Sequence, residues 1–113
     1  MHTDGGARGN PGPAAIGIVL YNEEKKPVVE HKERIGSTTN NVAEYKALIK
    51  GLEIATAYTH TILDWFLDSE LLVEQLRGKY AVKAKHLKPL YEEVRRLERQ
   101  FGRVLYHHVP REN

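Results

Sequence analysis

The 113-residue chain contains no cysteine, which removes disulfides, thiolate zinc sites and cysteine nucleophiles in one step. It also has no run of about 18 apolar residues, the length that a membrane-spanning helix requires. The first residues lack the basic-then-apolar layout of a secretory leader. These absences leave no membrane partner to expect and make a cytoplasmic setting the default. There is no internal repeat and no low-complexity tract to divide the chain. At this length a single domain is expected, able to bury roughly two-thirds of its unfolded surface in one core.

Glycine and proline are concentrated rather than spread. Asp4-Gly5-Gly6-Ala7-Arg8-Gly9-Asn10-Pro11-Gly12-Pro13 places four glycines and two prolines within ten residues. Glycine raises the entropic cost of ordering and proline removes a donor, so the stretch reads as a tightly turned loop bringing backbone close to another group. Met1 to Thr3 read as the end of a strand ahead of it. Ile16 to Tyr21 is apolar on both faces and suits a central strand covered on both sides.

After a polar turn, Val28 to Ile35 alternates imperfectly and carries many charges, as an edge strand does. Gly36 to Asn40 reads as a loop. Leu48, Leu52 and Ala55 recur at helical spacing and predict a helix from about Asn41 to Tyr58. Thr61 to Leu67 is a strand. A short helix follows from Asp68-Ser69, with Leu71, Leu72 and Leu76 inward, and Gly78 ends it. The stripe Leu87, Leu90, Tyr91, Val94, Leu97 and Phe101 predicts a second long helix from about Leu87 to Phe101, with Pro89 in its first turn and Gly102 stopping it. Arg103 to Val109 is the last strand. Strand-rich beginnings that pass into strand–helix alternation imply an α/β domain with a mixed sheet.

Charge is uneven as well. Residues 77 to 99 hold eight Lys and Arg against three acids, and no acid lies between Arg77 and Lys88. Such a segment is either a solvated helix face or a phosphate-binding surface.

Three carboxylates stand out by placement. Asp4 ends the first strand, and Asp68 ends the strand after the long helix; ligands gather at such strand ends in open sheets. Each also has a local explanation, Asp4 as half of an Asp-Gly turn and Asp68 as a helix N-cap. Glu44 is three residues beyond Asn41, near capping-box spacing. Yet it shares a helical stripe with Leu48, Gly51, Leu52 and Ala55, the stripe that packs on the sheet, where an ionised acid is costly unless paired or bound to a metal. Gly51 on that stripe lets helix and sheet approach closely. Three anions meeting at one sheet end call for a cation. An all-oxygen set without histidine points to magnesium or manganese rather than zinc. His107 and His108 are strand neighbours on opposite faces and cannot share a metal.

Asp4-Gly5-Gly6 with Arg8 to Pro13, Thr38-Thr39-Asn40-Asn41-Val42-Ala43-Glu44, Leu67-Asp68-Ser69, and His108-Val109-Pro110-Arg111-Glu112-Asn113 resemble, in order along nearly the whole chain, the motifs of type 1 ribonuclease H. The short basic connection resembles the compact members that lack an extra basic helix. The resemblance implies a five-stranded mixed sheet, three antiparallel strands followed by parallel ones, flanked by helices. It implies metal-dependent hydrolysis of the RNA strand of RNA–DNA hybrids to 5′-phosphate and 3′-hydroxyl ends, by a monomer. Asp4, Glu44 and Asp68 match three of the family's four metal-binding acids, which hold two ions with substrate. Asn10, Asn40 and Asn41 match minor-groove positions and Thr39 a phosphate contact. Glu70 stands where relatives often carry glutamine. Gly5 and Ser69 complete the substrate-binding set, and Arg111 is an auxiliary candidate near the site.

The family's fourth acid falls beyond the asparagine that Asn113 matches. The expectation is therefore a single domain, residues 1–113, truncated at its C-terminus and slightly at its N-terminus. The missing acid motivates a second reading, a non-catalytic hybrid-binding module. A third keeps the nuclease and extends it to double-stranded RNA, which shares 2′-hydroxyls and A-like shape with a hybrid.

Overall fold

The computed structural model describes residues 1–7, 12–22, 24–58, 61–67, 69–78 and 81–109, with backbone alone at Asp4, Gly6 and Ala7. The elements are β1 (His2–Ala7), β2 (Gly12–Tyr21), β3 (Pro27–Thr38), α1 (Asn40–Ala55), β4 (Ile62–Leu67), α2 (Glu70–Leu76), α3 (Lys88–Glu98) and β5 (Arg103–His108). The expected order of strands and helices is therefore observed. The five strands lie in the order β3-β2-β1-β4-β5, with β3, β2 and β1 antiparallel and β1, β4 and β5 parallel.

One expectation fails at the start of the chain. Asp4 to Ala7 is ladder strand rather than loop: Asp4 pairs with Gly17, Gly5 with Ile16, Gly6 with Ala15 and Ala7 with Ala14. Asp4 lies inside β1 and not at its end. The paired backbone of β2, together with the helix packed over Gly5, overrides the low strand propensity of glycine. Gly12 and Pro13, at the other end of the presumed loop, are also strand, opening β2 opposite Thr38 and Ser37; residues 8–11 between them lie outside the described residues.

β3 likewise continues past Ile35 to Thr38. The register moves from Ala15↔Arg34 to Ala14↔Gly36, leaving Ile35 as the extra residue of a bulge, and Gly36 takes φ +82°. Glycine adopts that angle without steric cost, so the bulge absorbs what reads from sequence as a break. The two long helices end earlier than expected, at Ala55 and Glu98. The amides of Ala57 and Tyr58, and of Gln100 and Phe101, bond three residues back, so each last turn tightens out of α-helical geometry.

Burial alternates along β2, where Ala14, Ile16, Ile18 and Leu20 are buried while Gly17 and Val19 are half-exposed. That corrects the expectation of a strand covered on both sides. The helices lie over the Ile16/Ile18 face. α1 is buried along most of its length, contributing Ala43, Tyr45, Ala47, Leu48, Leu52 and Ala55 to the core between the sheet and α3. In α2 the inward residues are Leu72, Val73, Gln75 and Leu76, whereas Leu71 points outward. On the opposite sheet face His2 stacks on Phe66 and Phe66 on His107, each at 5.1 Å, and Tyr21 meets His2 edge-on. His107 also bonds Asp64 at 2.9 Å while its neighbour His108 is exposed, as alternation requires.

Polar groups fasten α3 and α2 to the last strand. The Tyr106 hydroxyl donates to Glu98 Oε2 at 2.5 Å, and Arg95 bonds both Glu98 oxygens, the Tyr91 hydroxyl and the Leu76 carbonyl. Arg77 donates twice to the Tyr106 carbonyl. Burial, reinforced by the Glu98 carboxylate, pushes the Tyr106 phenol far above its usual range. Tyr106→Phe removes one donor from a part-buried carboxylate, and urea denaturation is expected to show a loss of about 1–2 kcal/mol.

Candidate active site

The topology collects particular chain ends at one rim. β1, β4 and β5 are parallel, so Ala7, Leu67 and His108 lie at the same side of the sheet. β2 is antiparallel to β1 and pairs its first residue, Gly12, with Thr38 at the end of β3. The N-termini of α1 and α2 therefore start from this rim as well, since Asn40 follows Thr38 by two residues and Glu70 follows Leu67 by three.

Glu44 is brought to β1 by a missing side chain. A Cβ built on Gly5 would stand 2.3 Å from the Ala43 carbonyl oxygen and 2.7 Å from the Glu44 nitrogen. The α1 backbone thus rests directly on β1 one residue beyond Asp4. Seven residues further along the helix, a Cβ on Gly51 would stand 2.6 Å from the Trp65 ring and 3.1 Å from the Thr3 methyl. The expected close approach at Gly51 is observed, and Gly5 supplies a second one at the site itself. The helix is held against the strand at both points, with Glu44 between them.

The local explanation for Glu44 does not survive. The N-cap of α1 is Thr39, whose Oγ1 accepts from the Val42 amide at 3.4 Å, so Glu44 is five residues past the cap and outside any capping box. Its side chain is half-buried, with the Oε2 atom enclosed. A carboxylate oxygen enclosed on a helix whose backbone rests on a strand suits a cation-binding role. Asp68 is not the cap of α2 either; that role falls to Ser69, whose Oγ accepts from the Leu72 amide at 3.2 Å.

The other candidates divide as follows. Asn40 and Asn41 form the first turn of α1, Asn40 half-buried and Asn41 exposed. Glu70 is exposed in the first turn of α2. Lys83, Lys85 and Lys88 are exposed ahead of and at the start of α3. Asn10, Asp68 and Arg111 lie outside the described residues, as does the Asp4 side chain. Among the described residues no three His, Asp or Glu side chains gather, and two of the three acids of the proposed set are not in that description.

Sequence reasoning passed over the groups beside the acids. Trp65 Nε1 donates to Thr3 Oγ1 at 2.8 Å, and the Tyr45 hydroxyl donates to Gln75 Oε1 at 2.7 Å, both buried. Burial pushes the Tyr45 phenol well above its usual range, so it is held as a neutral donor. A signal was present in Gln75, a polar residue within the inward stripe of α2.

A mixed sheet in this order, with its helices on one face and its acid-bearing elements meeting at one rim, defines a ribonuclease H-like α/β domain. Comparison with known proteins agrees. A family model described as reverse transcriptase-like matches residues 2–113. The bifunctional protein Rv2228c of Mycobacterium tuberculosis is 45% identical over 112 residues, covering 98% of this chain and 31% of that protein. Ribonuclease HI of Halobacterium salinarum is 40% identical, covering 96% of this chain and 54% of the relative. Among solved structures, the N-terminal RNase H domain of Rv2228c superposes with a TM-score of 0.92 at 44% identity, covering 96% of this chain and 84% of that one. LC11-RNase H1, solved in complex with an RNA/DNA hybrid, gives 0.92 at 40% identity, covering 97% and 83%. The chain belongs to the reverse transcriptase-like family and is a ribonuclease H-like domain homologous to ribonuclease HI. It spans about a third to about half the length of these curated relatives.

Gly5→Ala would force a methyl group into the α1 backbone, which has no flexible side chain to yield. A loss of about 3 kcal/mol is expected in denaturant unfolding; stability within 0.5 kcal/mol of wild type, the spread of ordinary surface substitutions, would mean the helix is not seated on β1 in this way.

Proposed function

We propose that this domain hydrolyses the RNA strand of RNA–DNA hybrids, leaving 5′-phosphate and 3′-hydroxyl ends, with Asp4, Glu44 and Asp68 holding a magnesium or manganese pair. The observation that carries the reading is the seating of α1 on Gly5, which brings the Glu44 backbone against the strand that bears Asp4 while the Glu44 Oε2 atom is enclosed. Asp68 follows directly on Leu67, the last residue of the parallel β4. Hard oxygen donors suit magnesium and manganese. Bound in a pair, such ions supply Lewis-acid stabilisation of charge on the attacking and leaving oxygens of a phosphodiester.

The remaining groups bind and orient. Amides at Asn40 and Asn41 both donate and accept, which suits 2′-hydroxyls and base edges in a wide minor groove. Their position in the first turn of α1 also puts them at a helix N-terminus, where the dipole favours a phosphate. Thr39 fixes that turn through its cap. The exposed Lys83 and Lys85 on the connection between α2 and α3, with Lys88 at the start of α3, can hold the phosphates of the second strand. A structure relative bound to an RNA/DNA hybrid supports this choice of substrate. A monomer acting in the cytoplasm completes the proposal; among the described residues no helix is long and apolar enough to cross a membrane.

Asp4→Asn, Glu44→Gln and Asp68→Asn are each expected to lower cleavage of a labelled hybrid at least ~100-fold while hybrid affinity stays near wild type. Chelation is expected to stop cleavage and added magnesium to restore it. Parallel digests of hybrid, duplex RNA and duplex DNA establish the substrate. Hybrid binding without cleavage by the wild-type chain would favour the non-catalytic module instead.

A further inference from the structure

Two buried side-chain hydrogen bonds join β1, which bears Asp4, and α1, which bears Glu44, to the elements that flank Asp68 in the chain. Trp65 in β4 donates to Thr3 in β1 at 2.8 Å, and Thr3 directly precedes Asp4. Both residues are buried, and Gly51 of α1 lies against the Trp65 ring and the Thr3 methyl, so β1, β4 and α1 meet at this one contact. Tyr45 in α1 donates to Gln75 in α2 at 2.7 Å, and Tyr45 directly follows Glu44. Tyr45 is fully buried and Gln75 nearly so. Each bond is thus one residue from an acid and reaches across to β4 or α2, the elements on either side of Asp68.

Resting on the functional reading above, we propose that Thr3, Trp65, Tyr45 and Gln75 are positioning residues that fix the spacing of the carboxylates for their cations. A lone buried donor or acceptor is costly, so each bond selects one relative placement of its two elements over neighbouring ones. Apolar packing alone does not, because it tolerates small slides with little change in buried area. Cation pairs demand carboxylates held within a fraction of an ångström, and such support sets metal affinity rather than substrate affinity.

The test compares intact chains carrying Thr3→Val, Thr3→Ser, Tyr45→Phe and, as a control of like kind that takes part in neither bond, Tyr106→Phe. Magnesium is titrated into each folded variant calorimetrically without substrate. The magnesium needed for half-maximal cleavage and the KM for hybrid are then measured. Thr3→Val and Tyr45→Phe are expected to weaken magnesium binding and raise the half-maximal concentration about tenfold, with hybrid KM unchanged. Thr3→Ser, which keeps the acceptor, is expected to restore wild-type values. Tyr106→Phe is expected to lower the melting temperature and leave the magnesium response alone. Tyr45→Phe, which deletes a single oxygen, carries the test if Thr3→Val does not fold. Magnesium responses within twofold of wild type in both bond-deleting variants, or an equal shift in Tyr106→Phe, overturn the proposal. A wild-type chain that neither binds magnesium nor cleaves overturns the functional reading together with it.

Discussion

The fold depends on a helix backbone lying against a strand backbone where no Cβ intervenes. At Gly5 the Ala43 carbonyl oxygen takes the place a side chain would fill, and at Gly51 the Trp65 ring does the same from the opposite partner. Reciprocal glycines, one on the strand and one on the helix, lower α1 onto the sheet along a line almost two turns long. Each glycine costs conformational entropy relative to alanine, of the order of 1 kcal/mol. That loss is offset by the contact it permits, because nearly every inward residue of α1 is then fully buried.

The same approach determines where charge can sit. Glu44 is on the helix face nearest β1, so its carboxylate is drawn from solvent by the seating that builds the core. A core of aliphatic side chains offers such a group nothing, and the chain does not enclose it among them: Glu44 is near the N-terminal end of α1, at the rim, where the sheet stops. Deeper along the same contact the polar groups are neutral and matched, Thr3 with Trp65 and Tyr45 with Gln75. The sequence of environments along α1 therefore runs from a half-buried amide at Asn40 and an exposed one at Asn41, through an enclosed carboxylate, to satisfied neutral pairs and then apolar packing.

Most of this architecture was legible from periodicity. The order of elements, the edge position of β3, the stripe of α3 and the approach at Gly51 follow from local pattern, since each is decided by residues a few positions apart. The errors share a cause. Gly5 and Gly6 read as loop because their propensity is poor in isolation, and what places them in a ladder is the pairing with Ala15 and Ile16 and the helix overhead. Gly36 reads as a break because a bulge is a property of two strands in register, invisible in one. Leu71 reads as inward because three leucines suggest a stripe, whereas the polar Gln75 takes the buried position by virtue of a partner 30 residues away. Glu44 could be singled out from its stripe, but its release from a capping role needed the helix to begin at Asn40 with Thr39 as cap.

The division of the candidate site between regular and irregular structure follows from what each part must do. Under the proposed function the carboxylates share cations and tolerate little movement; Asp4 and Glu44 belong to the interior of a paired strand and to a buried helix, elements whose backbone groups are bonded within the fold. Contacts to a nucleic-acid backbone are individually weak, numerous and tolerant of small shifts. The candidates for that work occupy a helix terminus and the segment ahead of α3, where Asn41, Lys83 and Lys85 are exposed. A loop-borne set of acids would have to be ordered anew with each cation it captured. Strand and helix supply that order in advance, and the glycines that let them touch are what make the arrangement sterically possible.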